Sequence, residues 1–116
     1  MSRQDLYRVL QQHALWLYAG EDGQRANLRK ADLGQVILCG VNLEAADLRE
    51  VNLEKANLEG ANLQNADLRN ANLRDANLQD ANLQKVNMCE ADLRGARLWG
   101  CILRGTKTTV DNKQKE

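Results

Sequence analysis

The sequence predicts an all-β solenoid with a helical cover at its N-terminal end. Three observations carry this. A five-residue unit recurs sixteen times between Ala26 and Gly105. Its third residue is Leu in every unit but one, from Leu28 to Leu103, with Met88 as the departure. Two places earlier stands Ala, or Val at Val36, Val41, Val51 and Val86, or Cys at Cys101. A repeat this strict describes an architecture before it describes a chemistry.

A period of five suits neither a helix nor a flat strand. On a helix, Leu every fifth residue advances by ~500° per unit and scatters around the axis. On a strand, Ala and Leu of one unit share a face, but the next Leu points the other way. The pattern is satisfied when the chain turns a corner within each unit. Each unit then forms a short extended side with Ala and Leu inward and three residues outward. Successive corners of one hand wind the chain into a coil, and stacked coils bond as parallel strands ~4.8 Å apart. Asn or Asp precedes Leu in thirteen of the sixteen units, with Ile37, Arg97 and Ile102 as the exceptions. Short polar side chains of this kind bond backbone groups near corners.

The A-(N/D)-L-x-x run over 26–105 resembles the pentapeptide-repeat family. The resemblance implies a right-handed quadrilateral parallel β-helix with four units per turn. Sixteen units then make about four coils.

The N-terminal cover lies in residues 1–25. Ser2 followed by Asp5 has the spacing of a capping box, with Asp in place of the longer Glu. Leu6, Val9, Leu10, His13 and Leu17 recur at helical spacing, with Trp16 beside them. Gly20 and Gly23 mark the stop. These features predict an amphipathic helix over residues 3–18, folded across the first coil. Members of the family carry similar leaders, with a helix, a His–Trp-like pair and a Gly.

Residues 106–116, TKTTVDNKQKE, are polar and lack an apolar stripe, so a loosely packed tail is expected. The last coil is then thinly covered. Trp99 and Ile102 fall at outward positions, with Leu103 close to the open end.

Composition bounds the function. The length of 116 residues suits one domain, and sixteen basic residues balance sixteen acidic ones. A neutral chain argues against nucleic acid as a partner. No apolar run approaches the ~20 residues of a membrane helix, and the N-terminus lacks a signal peptide's apolar core. Three widely spaced cysteines read as free thiols, which favours a reducing compartment, the cytoplasm.

Candidate chemistry is sparse. His13 is the single histidine and falls on the helix's apolar stripe, where packing is the expected role. Cys39, Cys89 and Cys101 form no CxxC pair. With four units per turn, Cys39 and Cys89 point outward from different sides and Cys101 points inward, so they do not converge on a metal. The same winding stacks residues twenty apart. Asp47 and Asp67 then form one column, with Arg29, Arg49 and Arg69 beside it, and the columns offset each other. No catalytic residue, cofactor or metal follows.

Arg94, Arg97, Trp99, Ile102, Leu103 and Arg104 cluster near the last coil. Arg and Trp are typical anchors of protein interfaces. The expected function is therefore a non-enzymatic protein-interaction or scaffold module with an unknown protein partner. A weak symmetric homodimer through the last coil is a further expectation; the alternative is that Thr106 to Val110 folds back across the end and keeps the chain monomeric. The alternative comes from the resemblance: some members mimic DNA and bind type II topoisomerases. Those are long, acidic, dimeric rods, and this chain departs from them in charge and length.

Overall fold

The structure, a computed structural model, describes residues 1–109. Helix α1 spans Arg3–Ala19. It starts where Ser2 Oγ accepts the N–H of Asp5 at 3.0 Å. The reciprocal half of a capping box is absent among the described residues. The short Asp5 carboxylate lies instead 3.7 Å from Arg8, one turn along the helix. Gly20 ends α1 with φ 68, and a short turn over Gly20–Asp22 follows. Gly23 then passes directly against the helix. A Cβ there would overlap the backbone of Gln12 and Trp16. The close approach lets Gln24 donate its N–H to Gln12 O at 3.0 Å.

From Ala26 onward the chain returns to the same side every twenty residues. Asn27 pairs in parallel with Asp47, Asp47 with Asp67, and Asp67 with Asn87. Equivalent bridges run along the other three sides, such as Asp32 with Asn52, Ile37 with Asn57, and Asn42 with Asn62. Each side is only two extended residues long, so most of the ladder consists of single bridges. The longest pairing joins β1 (Asn87–Met88) to β2 (Lys107–Thr108).

The unit accounts for all five of its backbone N–H groups, as residues 46–50 show. Ala46 N–H closes a turn onto Leu43 O at 3.0 Å, and Asp47 N–H donates to Ala26 O at 3.0 Å in the preceding circuit. Leu48 N–H donates to Asp67 O at 2.8 Å and Glu50 N–H to Arg69 O at 2.9 Å in the following one. The fifth, Arg49 N–H, reaches the Asp47 side chain at 3.2 Å. This last bond forms in every unit that carries Asn or Asp, thirteen in all. The acidic or amide side chain is thus a backbone acceptor, which is why the position tolerates either.

The corner falls on the fifth residue, whose φ is positive in every unit, from 58 at Asp75 to 79 at Gly100. Together with the hydrogen bond across the corner, this matches a type II turn. Eleven of these corners are not glycine, among them Lys30, Ala45 and Glu90. Each carries a cost of order 1 kcal/mol, offset by ladder bonds on both sides.

The third-position side chains from Leu28 to Met88 are all buried, and each contributes roughly 1.5–3 kcal/mol. Leu6 of α1 is buried on this ladder, with Val9 and Leu10 packed beside it. Leu17 is half-buried and is not among the residues packed on that core.

The start of the tail differs from the loose segment expected after Gly105. Thr106 takes the first position of a further unit, and its hydroxyl donates to Leu83 O at 2.7 Å. Lys107 N–H donates to Val86 O at 2.8 Å, and β2 completes the pairing. A hydroxyl in place of a methyl hides the repeat from an apolar reading while preserving the backbone path. Residues 110–116 lie outside the described residues.

Candidate functional site

Among the described residues, the last circuit, 86–105, ends the ladder with three of its four sides uncovered. One circuit earlier, Leu73, Leu78 and Leu83 donate their N–H groups to Asp92, Arg97 and Ile102. The equivalent N–H groups of Leu93, Leu98 and Leu103 find no acceptor among the described residues. Burial falls in step. Leu93 and Leu98 are half-buried and Leu103 is 49% exposed, although all three occupy inward positions.

Around this edge stand the residues that the sequence singles out. Trp99 projects outward and is 75% exposed, and Ile102 is 47% exposed. Arg97 sits in register beside Asn77, and Ile102 beside Asn82. Arg97 and Ile102 occupy Asn/Asp positions, so the N–H groups of Trp99 and Arg104 lack the side-chain acceptor that thirteen other units provide. Arg94 is engaged: its guanidinium holds Asp92 in two bonds, Nε–Oδ1 at 2.9 Å and Nη2–Oδ2 at 2.7 Å. That pairing, foremost its hydrogen bond, lowers the Asp92 carboxyl to about 2. Arg97 and Arg104 are exposed and form no ion pair among the described residues. The corners here are Gly95, Gly100 and Gly105. A Cβ at Gly95 would overlap the Asp75 carboxylate, and one at Gly100 that of Asp80.

The charged columns of the first side balance each other. Arg49 grips Asp47 at 2.7 Å and lies 3.9 Å from Asp67, while Arg69 grips Asp67 at 2.7 Å. Arg29 turns instead to Glu50 at 3.2 Å. Asp47 is buried, and the Arg49 hydrogen bond, outweighing desolvation, holds its carboxyl at about 2.

The remaining candidates are structural. His13 is buried, accepts the N–H of Ala26 and reaches Glu44 O. Burial, the largest influence, lowers its pKa. Trp16 stacks on it with ring centres 5.5 Å apart. All three cysteines are free. Cys39 is exposed on one side, Cys89 half-buried on another, and Cys101 donates its thiol to Leu78 O.

Sequence reasoning missed a second apolar spot. Ile37 is 76% exposed at the opposite end of the rod. It lines an open groove with Leu38 of the same side and Arg3, Leu6, Tyr7 and Leu10 of α1. Its signal was present, since Ile37 is one of the three departures from Asn or Asp, but its neighbours on α1 are distant in sequence. Tyr7 and Tyr18 of α1 are also missed; both are exposed, Tyr7 lining the Ile37 groove and Tyr18 accepting a hydrogen bond from Asn42.

Comparison with known proteins agrees with this architecture. The family model described as "Pentapeptide repeats" matches residues 26–65, 37–75 and 71–107. A pentapeptide repeat protein from Nostoc Pcc 7120 is 30% identical, with a TM-score of 0.67 over 90% of this chain and 88% of that one. A second, from the cyanobacterium Cyanothece 51142, is 37% identical, with a TM-score of 0.51 over 81% of this chain and 70% of that one. QnrB1, a plasmid-mediated fluoroquinolone resistance protein, is 24% identical with a TM-score of 0.63. The match covers 75% of this chain but 41% of QnrB1, and it is a likeness of fold. No curated protein matches the chain's sequence. The chain belongs to the pentapeptide repeat family.

Proposed function

We propose that this protein is a non-enzymatic interaction module, a right-handed four-coil rod capped by α1, whose last circuit is the docking surface for another protein. The observation that carries the reading is the coincidence at one end of exposed Trp99, Ile102 and Leu103 with Arg97 and Arg104, which form no ion pair among the described residues. Along the middle of the rod, outward positions are Asn, Gln, Gly and charged residues, which water satisfies. At this end they become an aromatic, one aliphatic side chain and guanidinium groups with no ion pair among the described residues, with the inward Leu103 exposed beside them, the composition of an interface centre. The open strand edge adds backbone donors to the same surface.

The reading as an interaction module also draws on the rod's shape. The grooves among the described residues are open and lie around α1 and at the last circuit beside Met88, Leu93 and Thr108, where water is not excluded from a reaction. Three free cysteines fit a cytoplasmic setting.

Affinity capture from the native host tests the proposal, with wild type and Trp99→Glu as paired baits. A partner retained by the wild type and lost with Trp99→Glu is expected. An identical set of retained proteins contradicts the assignment of the surface. A topoisomerase supercoiling assay serves as the control for DNA mimicry, and no inhibition is expected.

A further inference from the structure

We propose that the apolar end of the last circuit docks in the Ile37 groove of a second copy of this chain, so that copies associate head to tail. The proposal rests on the reading of the last circuit as a docking surface and names its occupant.

Three units break the Asn/Asp rule, and the two that do so with Ile stand at opposite ends of the rod. Ile37 lies in the first circuit and Ile102 in the last. An Asn at either place would accept a backbone N–H, as it does in thirteen other units. Isoleucine forfeits that bond and leaves its side chain 76% exposed at Ile37 and 47% exposed at Ile102. The isolated chain gains nothing from either choice, whereas an apolar contact between them gains from both.

The surroundings of the two residues are complementary. Beside Ile102, the edge presents the N–H groups of Leu103 and Gly105 and the carbonyl of Cys101, none with a backbone partner among the described residues. Beside Ile37, the edge presents the Ile37 N–H and the carbonyls of Ile37 and Cys39, likewise unpartnered. Pairing one edge with the other satisfies donors and acceptors on both. The groove walls of Leu6, Tyr7, Leu10 and Leu38 receive an aliphatic side chain, and the half-open Leu98 and Leu103 receive one in return. Helix α1 covers the next side of the first circuit, where His13 meets Glu44 O and Tyr18 meets Asn42. A second rod therefore approaches at the Ile37 side.

Charge favours this arrangement over two last circuits meeting symmetrically. The first eight units carry four basic and six acidic residues, and the last eight carry six basic and five acidic. Head-to-tail contact brings the repeats of net charge −2 in one copy to those of net charge +1 in the next, with Arg3 the one basic side chain lining the groove. Symmetric contact sets Arg97 and Arg104 of both copies against each other. A head-to-tail contact uses different surfaces on each copy, so it does not stop at two unless the geometry closes.

Light scattering over a concentration series tests this with wild type, Ile37→Asn, Ile102→Asn and an equimolar mixture of the two variants. Each substitution installs the residue that most units already carry, and unchanged circular dichroism verifies folding. The wild type is expected to grow past the mass of a dimer with concentration. Each variant alone is expected to stay monomeric. The mixture is expected to form a dimer and nothing larger, because each variant retains one intact surface. A wild type that is monomeric at every concentration overturns the proposal and leaves the docking of a different protein untouched. Dimers lost in Ile102→Asn but kept in Ile37→Asn overturn it in favour of symmetric contact. Association unaffected by either variant, and by Trp99→Glu, removes the last circuit as a docking surface altogether.

Discussion

His13 Nδ1 accepts the backbone N–H of Ala26 at 2.8 Å, at the first residue of the first repeat. This leaves Nε2 as the protonated nitrogen, 2.9 Å from Glu44 O, to which it donates. One neutral ring thus joins the start and the end of the first circuit to α1. A second proton on Nδ1 would face the Ala26 N–H, and burial disfavours the charge as well, so the pKa is lowered. The unfolded chain binds that proton more readily. The stability that neutral His13 provides is complete above its ordinary value of ~6.5 and is lost as the pH falls below it.

Two results follow for His13. Urea titrations of the wild type should show stability declining between pH 7 and pH 5. His13→Phe should remove that decline and lower stability by ~2–4 kcal/mol at pH 7, since a buried N–H and a part-buried carbonyl lose their partner. An equal pH slope in both proteins contradicts the role.

Asp47 governs a separate, more acidic window. Its carboxyl titrates at about 2 in the folded chain, against ~3.9 ordinarily. Its contribution is present above pH ~4 and is lost as the pH falls through about 2. Asp47→Asn keeps an acceptor for Arg49 N–H and should flatten the acid limb of the stability profile. Asp47→Ala loses the acceptor as well and should cost a further ~1–2 kcal/mol at neutral pH. Equal stability of the Asn and Ala variants counts against the backbone role of this side chain.

Gly95 and Gly60 separate two effects at one kind of corner. Both have positive φ, 76 and 69. Nothing lies within 4 Å of a Cβ at Gly60, whereas one at Gly95 meets the Asp75 carboxylate. Gly60→Ala should cost about 1 kcal/mol, the left-handed penalty alone. Gly95→Ala should cost more, and Asp75→Ala should rescue the excess. Equal costs for the two glycines contradict the packing of Asp75 on the last circuit.

The frame was legible because Leu and Ala at a fixed spacing leave few arrangements that bury both. Leu63 and Leu68 point inward for that reason, and both are fully buried. The corner residues show no single residue type in the sequence. Their backbone is held by ladder bonds on either side, so Lys30, Ala45 and Glu90 occupy a conformation that their own preferences oppose. An excess of Gly, Asn and Asp at the fifth position was the available signal. The fold-back at Thr106 is legible only as an alternative to a loose tail, because its hydroxyl bond to Leu83 O replaces an apolar contact. Ile37 escaped because its groove is built by α1, and only folding brings Tyr7 and Leu10 to it.

The architecture rests on residues twenty apart lying side by side, and paired cysteines test this directly. In a background with Cys39, Cys89 and Cys101 replaced by Ser, Gln64→Cys and Gln84→Cys should sit in one column, as the bridge from Asn62 to Asn82 places their neighbours. A parallel spacing of ~4.8 Å falls within the range a disulfide spans. Mild oxidation should therefore cross-link this pair within the monomer, read by mass spectrometry as the loss of two hydrogens. The pair Glu54→Cys and Gln64→Cys, on opposite sides, should stay reduced. A cross-link in the second pair and none in the first would contradict the twenty-residue circuit and every column built on it.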